Sequence, residues 1–261
     1  MMKAACLVIV FLLATTIVAS TLTITVKAAI TDWWPTFRHD PNHTGTSTST
    51  GPTTNSVLWT YTTGAGVLGS PTVVDGFVYV GSYDKKVYCL NAATGAFVWS
   101  YPTDYVVYTS PAVVNGRVYF GNGEATTYGK IYCLNAATGT QIWNYSTVSI
   151  DARLGGVYSS PAVVDGRVYI GCNNGHLYCL DASTGTNLWS IGQISSGYII
   201  SSPAVADGRV YVGATDGWIY CRNAADGSEA WKYQTGDGVY SSPTVVGGRV
   251  YVGSVDKKST A

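Results

Sequence analysis

Hydrophobic and polar residues alternate along most of the chain in short runs that turn signals interrupt. The stretch 160–190 shows this plainly: an extended run entered by Pro161 ends at the turn Asp165-Gly166. An alternating run follows, breaks at Asn173-Asn174-Gly175, and returns before a last run that carries Trp189. The pattern predicts four antiparallel strands, none longer than about six residues, joined as one meander.

The meander recurs at nearly constant spacing. The prolines that open successive units stand at positions 71, 111, 161, 203 and 243, so the period is 40, 50, 42 and 40 residues. Four-stranded units at this period are the signature of a propeller blade, and no segment carries the 3.6-residue period of a helix. The predicted fold class is therefore all-β, a β-propeller of four-stranded antiparallel blades.

The repeats begin and end with incomplete units. Val57 to Tyr61 reads as an isolated fourth strand, and after Pro243 the fifth unit supplies its first two strands. The sequence thus predicts four full repeats with partial blades at both ends. A five-bladed ring closed by the strand of Trp59 is one alternative. Because an unpaired strand edge is an aggregation liability, we favour a truncated copy of a ring with about seven or eight blades.

The first thirty residues have a different composition from the repeats. Met1-Met2-Lys3 is a short positive start, Ala4 to Val18 is an apolar core, and small residues follow it at Ser20 and Ala28. This is the pattern of a secretory signal, although an uncleaved membrane anchor is an open alternative. The predicted domains are a signal peptide at 1–28, a leading segment with a Thr/Ser/Gly-rich linker at 29–56, and propeller repeats at 57–261. An exported protein, secreted or at the cell surface, is expected.

Export changes the interpretation of the cysteines, because an oxidising compartment permits disulfides. Cys89, Cys133, Cys179 and Cys221 occupy the same position of successive repeats, where pairing is geometrically unfavourable. We interpret them as small buried hydrophobic residues. Cys172 lies in the same predicted hairpin as Cys179, so a local disulfide between these two stays open.

The overall charge excludes one class of partner. The chain carries 15 basic and 15 acidic residues, a net charge of zero. Nucleic-acid binding is therefore not expected, because no basic field attracts a phosphate backbone.

A recurring motif carries a family resemblance. In each full repeat a glycine in a turn precedes a tryptophan by four residues. The four pairs are Gly95 and Trp99, Gly139 and Trp143, Gly185 and Trp189, and Gly227 and Trp231. The motif resembles the tryptophan-docking motif of PQQ-like, or quinoprotein-like, β-propeller repeats. The glycine permits the positive φ of a tight turn, and the tryptophan can lie flat between adjacent blades.

The resemblance implies two classes of function. Some members of the family are dehydrogenases that hold pyrroloquinoline quinone (PQQ) and calcium over the propeller axis. Others, including outer-membrane assembly lipoproteins, are scaffolds without a cofactor. This chain has only two glutamates, Glu124 and Glu229, and no adjacent cysteine pair. We therefore favour an exported, non-catalytic scaffold that binds a protein or glycan at the cell surface and needs no cofactor. The alternatives are a PQQ-dependent oxidoreductase, or a fragment of one, and a purely structural repeat of a longer surface protein.

The variable loops are the expected binding face. In propellers the loops between blades share a face with the loops between second and third strands, and recognition tends to use such loops. Three tyrosines stand just before the repeated Ser-Pro, where they could stack on a sugar or hold a peptide edge, or simply pack the inner rim. The candidate binding residues are Tyr108, Tyr158 and Tyr240 at the channel mouth, and Tyr128, Glu124, His176 and Trp218 in the loops. No metal site is expected, because His39 and His43 lie in a turn-rich segment instead of a helix.

Overall fold

The structure is a computed structural model that describes residues 32–124, 128–147, 155–192, 194, 196–257 and 259–260. The predicted signal peptide at 1–28 lies outside these residues. Within the described ranges, no helix has the length and apolar character needed to cross a membrane.

The described chain folds into five antiparallel sheets, which we call blades one to five in chain order. Blade one contains β1 (Thr72–Val74), β2 (Phe77–Ser82), β3 (Lys86–Asn91) and β4 (Phe97–Pro102). Blade two contains β5 (Ala112–Val114), β6 (Arg117–Asn122), β7 (Lys130–Asn135) and β8 (Gln141–Ser146). Blade three contains β9 (Ala162–Val164), β10 (Arg167–Gly171), β11 (Leu177–Asp181) and β12 (Asn187–Ile191). Blade four contains β13 (Ala204–Ala206), β14 (Arg209–Gly213), β15 (Trp218–Asn223) and β16 (Glu229–Gln234). Blade five contains β17 (Thr244–Val246), β18 (Arg249–Gly253) and β19 (Ser259–Thr260).

Strand order within every blade follows sequence order, so the predicted all-β propeller fold is confirmed. The turn between β9 and β10 shows how the sequence forms these meanders. Asp165 and Gly166 both have positive φ, at 50° and 72°, as a two-residue hairpin loop of the mirror-image type requires. The first strands of consecutive blades are neighbours, so they line the propeller axis.

The core lies between neighbouring blades, and blades two and three, which have a sheet on each side, contain most of the fully buried side chains. The third strands are nearly all buried, and the five described cysteines are buried and free. Cys172 donates a hydrogen bond to the carbonyl oxygen of Gly155 at 3.1 Å. The disulfide between Cys172 and Cys179 that the sequence left open is therefore not formed.

Tryptophans on the fourth strands join consecutive blades. Trp99 lies over Gly139, where an added Cβ would stand 2.6 Å from the indole. Its Nε1 donates to the carbonyl oxygen of Ala136 at 2.9 Å. Trp143 and Trp189 lie in the same way over Gly185 and Gly227. The glycines therefore admit the indoles by lacking a side chain.

Val57 to Tyr61 does not form the fourth strand that the sequence predicts. The segment is irregular, although Trp59 lies over Gly95 and donates to the carbonyl oxygen of Ala92 at 2.9 Å. An extended segment becomes a strand only when a neighbouring strand pairs with it, and no described strand lies beside this one. Trp59 thus packs on blade one as the fourth-strand tryptophan of a preceding blade would, and among the described residues the segment 57–61 pairs with no strand of blade five.

A belt of serines links the starts of the first strands of neighbouring blades. The amide of Ser110 donates to Oγ of Ser160 at 2.9 Å, and the amides of Ser70, Ser160 and Ser202 make the same bond to the next blade. Four such bonds, of 2.9 to 3.0 Å, join Ser70, Ser110, Ser160, Ser202 and Ser242. The belt fixes the spacing of the five blades around the axis.

The segment 32–45, which we call the axial strap, runs along the axial side of the first strands. Trp34 forms a bridge with Val73 of blade one. Three strap carbonyls accept backbone hydrogen bonds of 2.7 to 2.9 Å, Pro35 from Val113, Pro41 from Val205, and Asn42 from Val245. Thr36 Oγ1 lies 3.5 Å from the carbonyl oxygen of Pro161 in blade three. The strap therefore contacts all five blades.

Candidate functional site

The loop face carries a row of tyrosines at the mouth of the axis. Tyr108 and Tyr158 precede the belt serines of neighbouring blades, and their ring centroids lie 4.5 Å apart. Tyr83, from the turn between β2 and β3, packs edge-on against Tyr108 at 4.8 Å. We call Tyr83, Tyr108 and Tyr158 the tyrosine row. All three rings are partly exposed, so the row offers an amphipathic surface to a ligand.

Burial favours the protonated form of two phenols of the row, Tyr83 and Tyr158. Desolvation, followed by the nearby phenol of Tyr108, raises the pKa of Tyr158 to about 12. Desolvation also raises the pKa of Tyr83. The phenols of Tyr83 and Tyr158 therefore stay neutral at physiological pH and can both donate and accept a hydrogen bond.

Glu124 lies beside the row. A Cβ on Gly156 would stand 2.5 Å from the backbone oxygen of Glu124 and 3.1 Å from the ring of Tyr158. The negative charge of Glu124 contributes to the raised pKa of Tyr158. Three of the residues proposed from sequence, Tyr108, Tyr158 and Glu124, are therefore brought together.

The other proposed residues lie apart from this cluster. Tyr240 holds the same repeat position in blade five and is 56% exposed. Trp218 is half-buried against the core of blades three and four, with Lys232 Nζ 5.0 Å from its ring. His176 is buried and stacks on Tyr178 at 5.7 Å.

Tyr128 lines a separate groove on the same face. The groove has a volume of about 440 Å³, and its lining includes Tyr105, Lys130 and Thr147. Lys130 forms an ion pair with Asp104. Tyr128 itself is 55% exposed.

The two strap histidines have structural contacts. His39 Nε2 lies 3.0 Å from a carboxylate oxygen of Asp32. His43 Nδ1 lies 3.0 Å from the carbonyl oxygen of Pro243, and burial lowers its pKa to about 4. His43 is therefore neutral at pH 7 and donates this hydrogen bond from Nδ1. In the described ranges, no three His, Cys, Asp or Glu side chains are grouped so that they could hold a metal ion.

Sequence reasoning missed Tyr83 and the serine belt. Tyr83 has no counterpart at the same position of the other blades, so no periodicity marks it. The belt serines did leave a signal, because each unit-opening proline follows a serine.

Three solved structures have similar folds. BamB from Moraxella catarrhalis matches with 21% sequence identity and a TM-score of 0.66, covering 78% of this chain and 63% of that one. Quinohemoprotein alcohol dehydrogenase ADHIIG from Pseudomonas putida HK5 matches with 20% identity and a TM-score of 0.69, covering 85% and 45%. Quinohemoprotein alcohol dehydrogenase from Comamonas testosteroni matches with 20% identity and a TM-score of 0.69, covering 87% and 47%. The chain thus spans less than two thirds of the length of these structures.

No curated protein matches the sequence. A sequence profile described as outer membrane protein assembly factor BamB matches residues 43–198 and 173–261. These ranges include the five blades, the serine belt and the tryptophan-docking turns. The chain therefore belongs to the family of the outer membrane protein assembly factor BamB.

Proposed function

We propose that the protein is a non-catalytic scaffold that acts outside the cytoplasm, at the cell surface, and binds a protein partner through the tyrosine row. The observation that carries this proposal is the contact between Tyr83, Tyr108 and Tyr158 at the axis mouth. Partly exposed aromatic side chains with a polar tip are favoured in protein interfaces. The family description, an outer membrane protein assembly factor, supports a protein partner.

The rigidity of the surroundings also supports a binding role. Tyr108 and Tyr158 are each followed within two residues by a belt serine that hydrogen-bonds the next blade. Their backbones are therefore held by the frame, while the phenols remain partly exposed. A preorganised surface loses less conformational entropy when a partner binds.

Quinoprotein chemistry is the second candidate, because two quinohemoprotein alcohol dehydrogenases share the fold at TM-scores of 0.69. Calcium prefers several carboxylate and carbonyl oxygens converging on one point. Among the described residues, the mouth instead presents the tyrosine row, a single carboxylate beside it, that of Glu124, and the apolar residues Leu68 and Ile200. This donor set does not fit PQQ with calcium, and we propose that the chain uses no cofactor.

Site-specific photo-cross-linking tests the scaffold proposal. A photoreactive phenylalanine analogue replaces Tyr108 or Tyr158 in cells that express the chain, and Leu188, which is 45% exposed on β12, serves as the control position. We expect one discrete protease-sensitive adduct from both tyrosine positions and none from the control. Absence of a protein adduct, or an adduct sensitive only to glycan-cleaving treatment, would contradict a protein partner at the row.

A further inference from the structure

Strand β8, at the outer side of blade two, contains a short motif that the proposed function does not use. Its residues Asn144-Tyr145-Ser146 match Asn-x-Ser, an acceptor pattern for N-linked glycans. The sequence contains one other match, Asn42-His43-Thr44 in the axial strap. The surroundings of the two asparagines differ, so the structure distinguishes between these matches.

The alternation of side chains along β8 exposes the acceptor asparagine. Tyr145 faces blade three, where its OH accepts a hydrogen bond from Nδ2 of Asn187 at 3.2 Å. Its ring also packs edge-on against Tyr178, with the centroids 5.7 Å apart. Successive side chains of a strand point to opposite faces, so Asn144 and Ser146 share the other face. Both residues are exposed.

The outer edge of β8 is also open. The strand pairs with β7 on its inner side, and no other described strand pairs with it. In the part of the chain that the structure describes, neither the Asn144 amide nor the Ser146 hydroxyl has a hydrogen-bond partner. A large substituent on Asn144 therefore extends into solvent without breaking a hydrogen bond of its side chain.

The second match is held inside the fold. Its middle residue, His43, is 2% exposed and lies 3.0 Å from the carbonyl oxygen of Pro243. The hydroxyl of Thr44 donates to the carboxylate of Asp40. Asn42 itself is half-buried, and its carbonyl oxygen accepts a backbone hydrogen bond from β17. A glycan on Asn42 would therefore compete with the packing of the strap on blade five.

We propose that Asn144 is an N-glycosylation site and that its glycan covers the outer edge of blade two. The inference rests on one part of the proposed function, action outside the cytoplasm, because Asn-x-Ser acceptors belong to exported proteins. β8 has no charged residue of its own. A bulky, solubilising glycan prevents the edge-to-edge pairing that an uncharged outer strand invites.

The glycan donor is an oligosaccharide carried on a lipid phosphate, and an oligosaccharyltransferase catalyses the transfer. The Nδ2 atom of Asn144 forms a bond to C1 of the first sugar, while the bond between C1 and the phosphate oxygen breaks. The lipid phosphate leaves with the electron pair of that bond. One proton of the Asn144 amide passes to a base of the transferase.

Export through a eukaryotic secretory pathway tests the site. The full chain follows a secretory signal peptide of the host and is recovered from the medium, and a cooperative thermal melt identifies the folded protein. An amidase that removes N-linked glycans converts each modified asparagine to aspartate, which mass spectrometry of tryptic peptides then locates. We expect modification at Asn144 and none at Asn42.

Three variants locate the modification independently. Asn144→Gln removes the acceptor, and Ser146→Ala removes the hydroxyl but keeps the asparagine, so both should abolish the glycan. Asn42→Gln is the matched control and should keep it. Folded chain with an unmodified Asn144, or with a glycan on Asn42, would overturn the proposal.

The melting temperature provides a second readout. Because Asn144 is exposed, the glycosylated chain and the enzymatically deglycosylated chain should melt at the same temperature or the glycosylated chain higher. A lower melting temperature of the glycosylated chain would show that the fold does not accommodate the glycan. Since the host supplies the export signal, an unmodified Asn144 contradicts this inference alone. Retention of the native chain in the cytoplasm would instead contradict the proposed function.

Discussion

Replacing a tryptophan that packs on the next blade should lower the free energy of unfolding far more than replacing the equivalent tryptophan of blade four. Trp143 is 7% exposed, packs on Tyr119 and lies over Gly185. Replacing a buried tryptophan by alanine costs about 3–5 kcal/mol, since it combines lost transfer free energy with a cavity. The carbonyl of Ala182 keeps its bonds from Arg117 and Tyr119, so no orphaned acceptor adds to this loss.

Trp231→Ala is the matched control, because it removes the same side chain from the same repeat position. Trp231 is 40% exposed, and no described turn is seated on it, so its loss should cost about 1 kcal/mol or less. For a domain of this size the larger loss corresponds to about 6–20 °C in melting temperature. Circular dichroism during urea and thermal unfolding measures both variants against the unmodified chain. Equal losses would refute the idea that the indole stabilises by docking on the next blade.

Three further predictions concern the frame. Burial holds the pKa of His43 near 4, below its ordinary 6.5, so the unfolded state takes up the proton first as pH falls. Stability that is fully present above pH 6.5 should therefore fall by about 3 kcal/mol between pH 6.5 and 4. His43→Gln should flatten this part of the urea-midpoint profile against pH, and an unchanged slope would contradict the assignment. Gly185→Ala should lower the free energy of unfolding by about 2 kcal/mol more than Gly166→Ala does. Both glycines have positive φ, but only Gly185 faces an indole, that of Trp143. Similar melting temperatures for the two variants would argue against this contact. Ser160→Ala removes the acceptor of the buried Ser110 amide and should cost about 1–3 kcal/mol in chemical unfolding, whereas an unaltered midpoint would show that the belt does not stabilise the ring.

The blades were predictable because their signals are local. Hydrophobic alternation, the Asp165-Gly166 type of turn and the Gly-to-Trp spacing all lie within one repeat, and the structure shows the same meanders. The isolated strand at 57–61 was wrong for a physical reason. Its residues have suitable side chains, but strand formation depends on a pairing partner that the described chain does not place beside it.

Such local signals did not predict the axial strap. They also did not predict that Arg117, Tyr119 and Trp143 of blade two donate hydrogen bonds to the carbonyl oxygen of Ala182 in blade three. Strap contacts such as His43 with Pro243 join residues 200 positions apart, and their spacing follows no repeat. Blade one has no arginine at the position of Arg117, because Phe77 starts its second strand. The set of three donors therefore does not recur in every repeat of the sequence. In the tyrosine row, Tyr108 and Tyr158 shared a repeat position, but only the structure added Tyr83.

The most direct test of a non-catalytic scaffold is a titration of the purified chain with PQQ in the presence of calcium chloride, followed by dye-linked oxidation of primary alcohols. Among the described residues, the mouth of the axis presents tyrosines, apolar side chains and the single carboxylate of Glu124 in place of converging carboxylates. We therefore predict no saturable change in the quinone absorbance and no alcohol oxidation above that of free PQQ with calcium. Stoichiometric quinone binding with turnover would contradict the account and would assign the chain to the quinoprotein oxidoreductases.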